Sequence, residues 1–328
     1  MRLDEFDYHL PEDRIAQTPL EPRDTARLLV VPRSGADFGH LRFHDLVDLL
    51  DPTDLLVLNE TRVTAVRLAG RRPSGGPLEA LVLGPALQAG PGAYDALMRP
   101  ARSAPPGAVL PFPELDCEAE VLSRTDAGGR ILRFIGDPDA VAQRLATRGR
   151  VPLPPYIHAH LSDATRYQTV YARVPGSAAA PTAGLHFTKE LLERIQGKGV
   201  GIARVRLDVG LGTFRPIRET EDVRRHVMHE EYFDVPEETA RAVSECAGRV
   251  VAVGTTSLRA LESAAIDAPP GRRCRAAAGN TGIFIYPGHT FRAVDGLITN
   301  FHQPGSTLLL LVAALLGQDR MRAAYETA

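Results

Sequence analysis

Two short stretches carry histidine and glutamate side chains that could move a proton. His186 lies in PTAGLHFT, where it follows a loop of Pro, Thr and Gly and precedes Thr188, a residue type that caps helices. The sequence therefore predicts His186 at a helix N-terminus, where the helix dipole disfavours the imidazolium and favours a neutral base. His229, Glu230 and Glu231 lie together in VMHEEYF and concentrate acid–base groups in three residues. The alternatives are a packing histidine in the first stretch and a solvated polar turn in the second.

A strand followed by a hydroxyl-rich helix start is predicted in VGTTSLRALES. Such a helix start presents free backbone amides to an anion, which makes Thr255, Thr256 and Ser257 candidate binding residues. Hydroxyl groups also cap ordinary helices, so capping is the alternative for each of them. Arg259 lies in the first turn, where its charge opposes the helix dipole unless an anion binds it. The stretch therefore indicates an anion site.

Glycines in DVGLGTFRP could bring the backbone close to a ligand, although an ordinary turn is the alternative. Gly210 and Gly212 match only part of the dinucleotide-binding fingerprint, and the chain contains no GxxxxGK[ST] phosphate loop. Chemistry driven by a nucleoside triphosphate is therefore disfavoured. Arg215 follows the glycines, and its planar guanidinium suits a phosphate or a carboxylate.

Patterns typical of metal sites and disulfides are missing from the sequence. Cys117, Cys246 and Cys274 are odd in number, widely separated and not part of a CxxC motif. The histidine pairs 226/229 and 158/160 lack a third ligand at a recognisable spacing. The sequence therefore predicts neither a bound metal nor a permanently bound cofactor.

The elements that must position these residues follow an αβ rhythm at both ends of the chain. Strands that alternate with helices imply an α/β fold with a largely parallel sheet and helices on both faces, and such a sheet binds ligands beyond the carboxyl ends of its strands. The predicted strands are Arg27–Val31, Asp54–Leu58, Val200–Leu207, Val250–Val253, Ile283–Tyr286 and Gly296–Phe301. The predicted helices are His44–Leu50, one capped by Thr188, Pro236–Ala247, one from about Ser257 and one capped by Ser306.

The pattern changes between Thr61 and Phe134, where six short apolar runs are separated mostly by Gly, Pro, Ser or Asp. Six short strands indicate a small closed or partly closed β-barrel. Asp137 and Pro138 then begin a helix that ends before Gly149. We therefore predict a discontinuous α/β catalytic domain of residues 1–60 and 150–328, with an inserted β-barrel domain of residues 61–149.

Length and composition limit the class of protein. A chain of 328 residues suggests about two domains, and 44% hydrophobic with 24% charged residues excludes wholesale disorder. The longest apolar run, Leu308–Leu316, is about half of a membrane span, and the N-terminus MRLDEFDYHL does not resemble a signal peptide. A soluble, cytoplasmic protein is therefore predicted. A net charge of −2 excludes a uniformly basic nucleic-acid-coating protein but allows a local basic face.

Five stretches together resemble one family, the S-adenosylmethionine:tRNA ribosyltransferase-isomerases, in block order and residue type. They are YQTVYA with PTAGLHFT, DVGLGTFRP, VMHEEYF, VGTTSLRALES and TNFHQPGSTL, and the similarity extends to IAQTPLEPRDTARLLV and VLNETRV. The resemblance implies transfer and isomerisation of the ribosyl group of S-adenosylmethionine onto a 7-aminomethyl-7-deazaguanine at the tRNA wobble position. Adenine and methionine leave, the product is epoxyqueuosine-tRNA, and S-adenosylmethionine is a co-substrate.

Roles for the candidate residues follow from this resemblance. The sulfonium makes the neighbouring 5′ carbon acidic, so a positioned base can start the reaction, and the anion site suits the methionine carboxylate. The implied catalytic residues are His186, His229 and Glu230, and the implied donor-binding residues are Gly210, Gly212, Thr255, Thr256, Ser257 and Arg259. A near-neutral protein that binds tRNA must concentrate its positive charge, so we expect tRNA to bind Arg62, Arg67, Arg71 and Arg72 on the barrel, together with Arg215. Ordinary surface arginines are the alternative for the barrel.

Several positions depart from the family pattern. Asp208 stands where the family usually has His, Asn280 and Gly282 replace an aromatic and an acid, and Gln303 and Gly305 replace an apolar and a basic residue. The chain also ends at RAAYETA without the family's aromatic tail, so binding with poor turnover is one expectation. We predict a monomeric tRNA-modifying transferase. A diverged relative acting on another acceptor and a non-catalytic RNA-binding homologue are the alternatives.

Overall fold

The computed structural model of the chain describes residues 1–125, 128–159, 161, 163–210, 217 and 221–328. Their Cα positions divide into two compact units. The first unit holds Met1–Thr61, Pro155–Val174 and Ala180–Ala328, and the second holds Arg62–Pro154 and Pro175–Ala179. Both ends of the chain therefore lie in the first unit.

The helices and strands are named in chain order. The strands are β1 (Arg27–Val30), β2 (Gly39–Arg42), β3 (Leu55–Asn59), β4 (Thr61–Val63), β5 (Val66–Arg71), β6 (Pro77–Pro85), β7 (Ala93–Arg99), β8 (Val109–Phe112), β9 (Cys117–Arg124), β10 (Arg130–Phe134), β11 (Val174–Ser177), β12 (Gly201–Leu207), β13 (Glu231–Val235), β14 (Val250–Val253), β15 (Ala277–Thr281) and β16 (Gly296–Ile298). The α-helices are α1 (Leu46–Leu49), α2 (Pro138–Arg148), α3 (Lys189–Gly197), α4 (Glu237–Glu245), α5 (Gly254–Ala265), α6 (Thr307–Leu316) and α7 (Gln318–Thr327).

A six-stranded mixed sheet of order β15-β13-β12-β3-β14-β16 forms the centre of the first unit. Strands β12, β3, β14 and β16 pair in parallel, whereas β13 is antiparallel to both of its neighbours. The prediction of a largely parallel sheet is therefore confirmed in part. The exception is β13, which carries Glu231 at its start.

Helices cover both faces of this sheet because β3 is apolar on both sides. All five residues of β3 are buried, as expected for a strand inside a parallel sheet. Leu56 and Leu58 face a core that includes Leu191 and Ile195 of α3. Val57 points to the opposite face, where α5 contacts β3, β12 and β14.

Three predicted helix starts are confirmed by their caps. Thr188 Oγ1 accepts from the backbone N–H of Leu191 at 3.0 Å and begins α3. Asp137 caps α2 in the same way, and Ser306 caps α6. These caps depend only on residues three positions apart, so the sequence alone reveals them.

Two element predictions are wrong. Residues Ile283–Tyr286 are not a strand, and β15 lies a few residues earlier at Ala277–Thr281, where it pairs with β13. Phe284 and Tyr286 instead pack against the apolar cluster that includes residues of α6 and α7. Helix α5 begins at Gly254 rather than Ser257, and the Ser257 hydroxyl donates to the Val253 carbonyl at 2.7 Å within the first turn.

The second unit contains a six-stranded antiparallel sheet of order β5-β6-β7-β10-β9-β8. The six strands correspond to the six predicted runs. The two end strands, β5 and β8, approach each other, and a Cβ at Gly70 would lie 2.8 Å from the Phe112 ring. Leu68, Leu110 and Leu132 fill the interior and are fully buried. The sheet is therefore a nearly closed barrel.

Helices of the described residues are too short or too polar to cross a lipid bilayer.

Candidate active site

Segments that follow neighbouring parallel strands leave the central sheet at the same edge. β14 ends at Val253, which aligns with Leu58 of β3 on one side and Ile298 of β16 on the other. β12 runs in the same direction beside β3. Open α/β sheets bind ligands beyond the carboxyl ends of their strands, so the stretches after β12, β14 and β16 begin at a candidate active site.

His186 lies at the end of a short 3₁₀ turn, Thr182–His186, two residues before the Thr188 cap. Its Nε2 atom is 3.0 Å from the side-chain nitrogen of Asn300, in the segment after β16. An amide nitrogen only donates, so Nε2 accepts and is unprotonated in this arrangement. Asn300 was not among the predicted site residues, although it lies in the TNFHQPGSTL stretch.

Burial keeps the His186 imidazole neutral. Loss of hydration lowers the pKa of His186, the nearby positive charge of Arg23 lowers it further, and a hydrogen bond to the Arg23 backbone opposes both effects. His186 ends a 3₁₀ turn and lies two residues before the cap of α3, so it is not the first residue of a helix as the sequence predicted. The prediction of a neutral imidazole therefore agrees with the burial of His186, and its role as the base stays a prediction.

The start of α5 has backbone N–H groups without a side-chain cap. Its N-cap position is Val253, which supplies no capping hydrogen bond, and Gly254 follows with φ +84°. The Ser257 hydroxyl is used within the helix, as described above. Thr255 is buried, and Thr256 Oγ1 is buried with no hydrogen-bond partner among the described residues. This helix start therefore remains open to an anion.

Arg259 and Glu231 form a buried ion pair between α5 and β13. Their side chains are 4% and 3% exposed, and Arg259 Nη1 donates to Glu231 Oε2. Glu231 Oε1 also accepts from the Gly210 backbone N–H at 2.8 Å. Arg259 Nε donates to the Ile283 carbonyl at 3.4 Å, and Arg259 Nη2 is buried without a partner among the described residues. A buried guanidinium with one unused nitrogen can bind an anion.

The VMHEEYF stretch splits between solvent and core. His229 and Glu230 are exposed, whereas Glu231 is buried at the start of β13. Phe233 and Val235 are buried on the same face as Glu231, because side chains of a strand alternate. The alternation of buried and exposed side chains along β13 was therefore the sequence signal that identifies Glu231, and not Glu230, as the buried glutamate.

Asp208, at the position where the resemblance implies His, has local partners. Its carboxylate accepts from Thr61 Oγ1 at 2.7 Å and pairs with Arg206 at 2.6 Å. Asn59, at the end of β3, binds both backbone groups of Leu207 and so aligns the segment after β12. Two predicted site residues further along this segment, Gly212 and Arg215, lie outside the described residues.

The predicted RNA-binding arginines of the second unit differ in whether their guanidinium groups already bind other residues of the protein. Arg67 lies 3.8 Å from Glu79 and donates to the Leu153 carbonyl at 3.3 Å. Arg72 Nε donates to the Pro77 carbonyl at 2.9 Å. Arg62 and Arg71 are exposed, and no described residue forms a hydrogen bond or ion pair with either guanidinium. These two arginines therefore keep their full charge for a ligand.

The comparisons with known proteins agree over nearly the whole chain. A family model described as a queuosine biosynthesis protein matches residues 3–328. The S-adenosylmethionine:tRNA ribosyltransferase-isomerase of Pelotomaculum thermopropionicum is 50% identical over 333 residues, which cover 100% of this chain and 95% of that protein. The protein of the same name from Symbiobacterium thermophilum is 49% identical with the same coverage.

A solved structure is also similar. The 2.00 Å crystal structure of S-adenosylmethionine tRNA ribosyltransferase from Thermotoga maritima has a TM-score of 0.54 and 36% sequence identity. The match covers 99% of this chain and 94% of that chain. All segments of the candidate active site lie within residues 3–328, which the family model matches.

Proposed function

The chain belongs to the queuosine biosynthesis protein family, and on that premise we propose that it is an S-adenosylmethionine:tRNA ribosyltransferase-isomerase. The reaction transfers and isomerises the ribosyl moiety of S-adenosylmethionine onto 7-aminomethyl-7-deazaguanine at the wobble position of tRNA. It gives epoxyqueuosine-tRNA and releases adenine and methionine. The observation that carries this proposal is 50% identity over the full chain to a relative of that name.

The methionyl carboxylate of the donor binds at Arg259 and at the first N–H groups of α5. Arg259 offers its unpartnered Nη2, and the pair with Glu231 fixes the direction of the guanidinium. The uncapped backbone amides of α5 add donors without adding charge. Arg259 and these backbone N–H groups all belong to α5, so their relative positions are fixed and the carboxylate binds in one orientation.

His186 acts as the base that starts the reaction. Its neutral Nε2 takes the proton from the 5′ carbon beside the sulfonium once the Asn300 amide turns away to the substrate. The C5′ electron pair forms a C4′=C5′ double bond as the C4′–O4′ bond breaks, the O4′ electrons form a C1′=O4′ carbonyl, and adenine leaves C1′ with a proton returned by His186. The aminomethyl nitrogen of the deazaguanine then adds to C4′ and loses its proton, the regenerated C5′ carbanion closes on C1′, and the resulting alkoxide forms the epoxide as methionine leaves with the electrons of its carbon–sulfur bond. His229 and Glu230 are exposed and remain candidates for the proton transfers at the tRNA side of the reaction.

The tRNA phosphates bind to the exposed arginines of the barrel. Arg62 and Arg71 have no competing partner, whereas Arg67 is partly neutralised by Glu79 and Arg72 supports its own hairpin. A protein of net charge −2 that binds a polyanion must concentrate positive charge on one face. Salt-dependent tRNA affinity is therefore expected to depend mainly on Arg62 and Arg71.

One incubation tests the proposed function. The protein is mixed with S-adenosylmethionine and with tRNA that carries 7-aminomethyl-7-deazaguanine, and adenine is measured by chromatography while the tRNA is measured by mass spectrometry. Adenine release with a matching mass gain on the tRNA supports the proposal. Adenine release only with another acceptor supports a diverged relative, and tight tRNA binding without release supports a non-catalytic homologue.

A further inference from the structure

Two hydroxyl groups beside the candidate active site are buried without a hydrogen-bond partner among the described residues. They are Thr169 Oγ1 and Tyr171 Oη, in the segment before β11. Thr169 as a whole is 5% exposed. Buried hydroxyl groups are almost always hydrogen-bonded in proteins, so two such exceptions two residues apart require an explanation.

Both side chains converge on the turn that carries His186. A Cβ at Gly184 would overlap Tyr171 Oη and would lie 2.9 Å from Thr169 Cγ2. Gly184 is two residues before His186 in the same 3₁₀ turn. The absence of a side chain at Gly184 therefore lets the Tyr171 hydroxyl approach the backbone beside the candidate base.

A third unpartnered hydroxyl approaches the same turn from α5. Thr256 Oγ1 lies 3.4 Å from the position of a Cβ on Gly254, and that position is 3.9 Å from Ala183 Cβ. Ala183 is the neighbour of Gly184 in the turn. Helix α5 therefore contacts the turn of Ala183 and Gly184, and Thr256 Oγ1 lies beside Gly254 at the start of that helix.

The chemistry of these groups selects the ligand. Hydroxyl groups donate and accept hydrogen bonds and carry no charge, so they match a neutral polyhydroxylated group better than a carboxylate. Burial raises the pKa of Tyr171, which keeps its phenol protonated and able to donate. The cationic group that suits a carboxylate, Arg259, lies one turn further along α5. The ribose hydroxyl groups of the donor also donate and accept without charge, so they match such partners.

We propose that Tyr171 and Thr169, with Thr256, form the subsite that binds the ribose hydroxyl groups of S-adenosylmethionine beside His186. This inference rests on the proposed function, because it names the part of that donor which the hydroxyl groups bind. Removal of one neutral hydrogen bond of this kind is expected to weaken binding about three- to tenfold.

Tyr171→Phe and Thr169→Val test the subsite, since each removes an oxygen and keeps the shape. Affinity for S-adenosylmethionine is measured by calorimetry, and the Tm of the free protein is measured alongside. Each variant should bind about three- to tenfold more weakly while its Tm stays the same or rises, because an unpartnered buried hydroxyl is lost. Tyr94→Phe in the barrel is the matched control and should bind as the unmodified protein does.

Deoxy probes identify the part of the ligand that is bound. 5′-Methylthioadenosine and its 2′-deoxy and 3′-deoxy forms are compared on the unmodified protein and on both variants. The unmodified protein should lose affinity when one ribose hydroxyl is removed, and that loss should disappear in the variant that lacks the matching protein hydroxyl. A loss of equal size in all proteins would show that these side chains do not bind the ribose hydroxyl groups and would overturn the inference.

Gly184→Ala gives an independent route, because its methyl group displaces the Tyr171 hydroxyl without removing it. The double variant Gly184→Ala/Tyr171→Phe should lose less affinity than the product of the two single losses. If the unmodified protein binds S-adenosylmethionine and both oxygen-deleting variants bind it equally well, this inference fails and the proposed function stands. If the unmodified protein does not bind S-adenosylmethionine, both fail.

Discussion

Arg259 and Glu231 are paired inside the protein, with side chains only 4% and 3% exposed. Their positions are 28 residues apart in the chain, and they meet because α5 packs beside β13. A buried ion pair contributes little net stability, but a single partner left alone is costly. Glu231 therefore compensates the buried charge of Arg259. This lets the unpartnered Arg259 Nη2 stay inside the protein at little net cost in folding free energy.

Glu231→Gln should lower the free energy of unfolding by about 3 kcal/mol, since it leaves the Arg259 charge buried without a counter-charge. Urea titration followed by circular dichroism measures this change. Glu230→Gln is the matched control: its side chain is exposed, and the expected change is within about 0.5 kcal/mol. Equal losses for the two variants would show that the alternation of β13 does not decide which glutamate is structural.

Arg259→Lys should weaken the binding of S-adenosylmethionine at least about tenfold, because lysine keeps the charge but loses the planar fork that serves Glu231 and the ligand together. Calorimetry with S-adenosylmethionine and with 5′-methylthioadenosine, which lacks the carboxylate, separates the two contributions. The loss should be confined to the ligand that carries the carboxylate. A similar loss for both ligands would exclude Arg259 as the carboxylate partner.

His186→Ala should lower kcat about 10²- to 10⁴-fold and leave the Kd for S-adenosylmethionine nearly unchanged, because a general base acts in the transition state. Single-turnover adenine release and calorimetry provide the two measurements. Near-normal turnover in this variant would remove His186 from the role of base.

The pH profile tests the environment of His186. The base must be unprotonated, so kcat/KM falls as the pH drops through the folded-state pKa of His186. Burial and Arg23 place this pKa below the ordinary value of 6.5, so the acidic limb should lie below pH 6.5. Arg23→Gln removes one of the two lowering causes and should move the limb to higher pH. An unmoved limb would contradict the assignment of His186 to it.

The lowered pKa of Asp54 makes the stability of the protein depend on pH in the acidic range. Burial alone would raise the pKa of Asp54, but hydrogen bonds from Arg249 and from backbone N–H groups outweigh it and hold the pKa below 3.8. A lowered carboxyl pKa contributes stability that is present above the unfolded-state value and lost as the pH falls through the folded-state value. Asp54→Asn should therefore lower Tm at pH 7, and its difference from the unmodified protein should shrink below about pH 3.8. A difference that stays constant to pH 2 would refute this linkage.

Arg62→Gln and Arg71→Gln should each lower the slope of log K against log salt for tRNA by about one. Filter binding at several salt concentrations measures the slope. Arg72→Gln is the comparison, because its guanidinium already supports the hairpin through the Pro77 carbonyl, and its slope should change less. Unchanged slopes in the Arg62 and Arg71 variants would move the tRNA to another face.

Local patterns were sufficient for much of the fold. The Thr188, Asp137 and Ser306 caps act over three residues, and the alternating barrel runs and the apolar run of β3 are equally local. Such signals depend on neighbours in the chain, so the printed sequence contains all of the information that they need. The family blocks were equally readable, because they are continuous stretches of residues.

Tertiary structure alone decided which residues meet. Asn300 reaches His186 across 114 residues of chain, and burial of that imidazole lowers its pKa and favours the neutral form. A strand was expected at Ile283–Tyr286, but the strand that forms is β15 at Ala277–Thr281, because its backbone groups hydrogen-bond to β13. Phe284 and Tyr286 instead pack against the apolar cluster that includes residues of α6 and α7. Sequence determines local conformation through neighbouring residues, whereas burial and partner choice follow from the topology that brings β12, β14 and β16 to one edge.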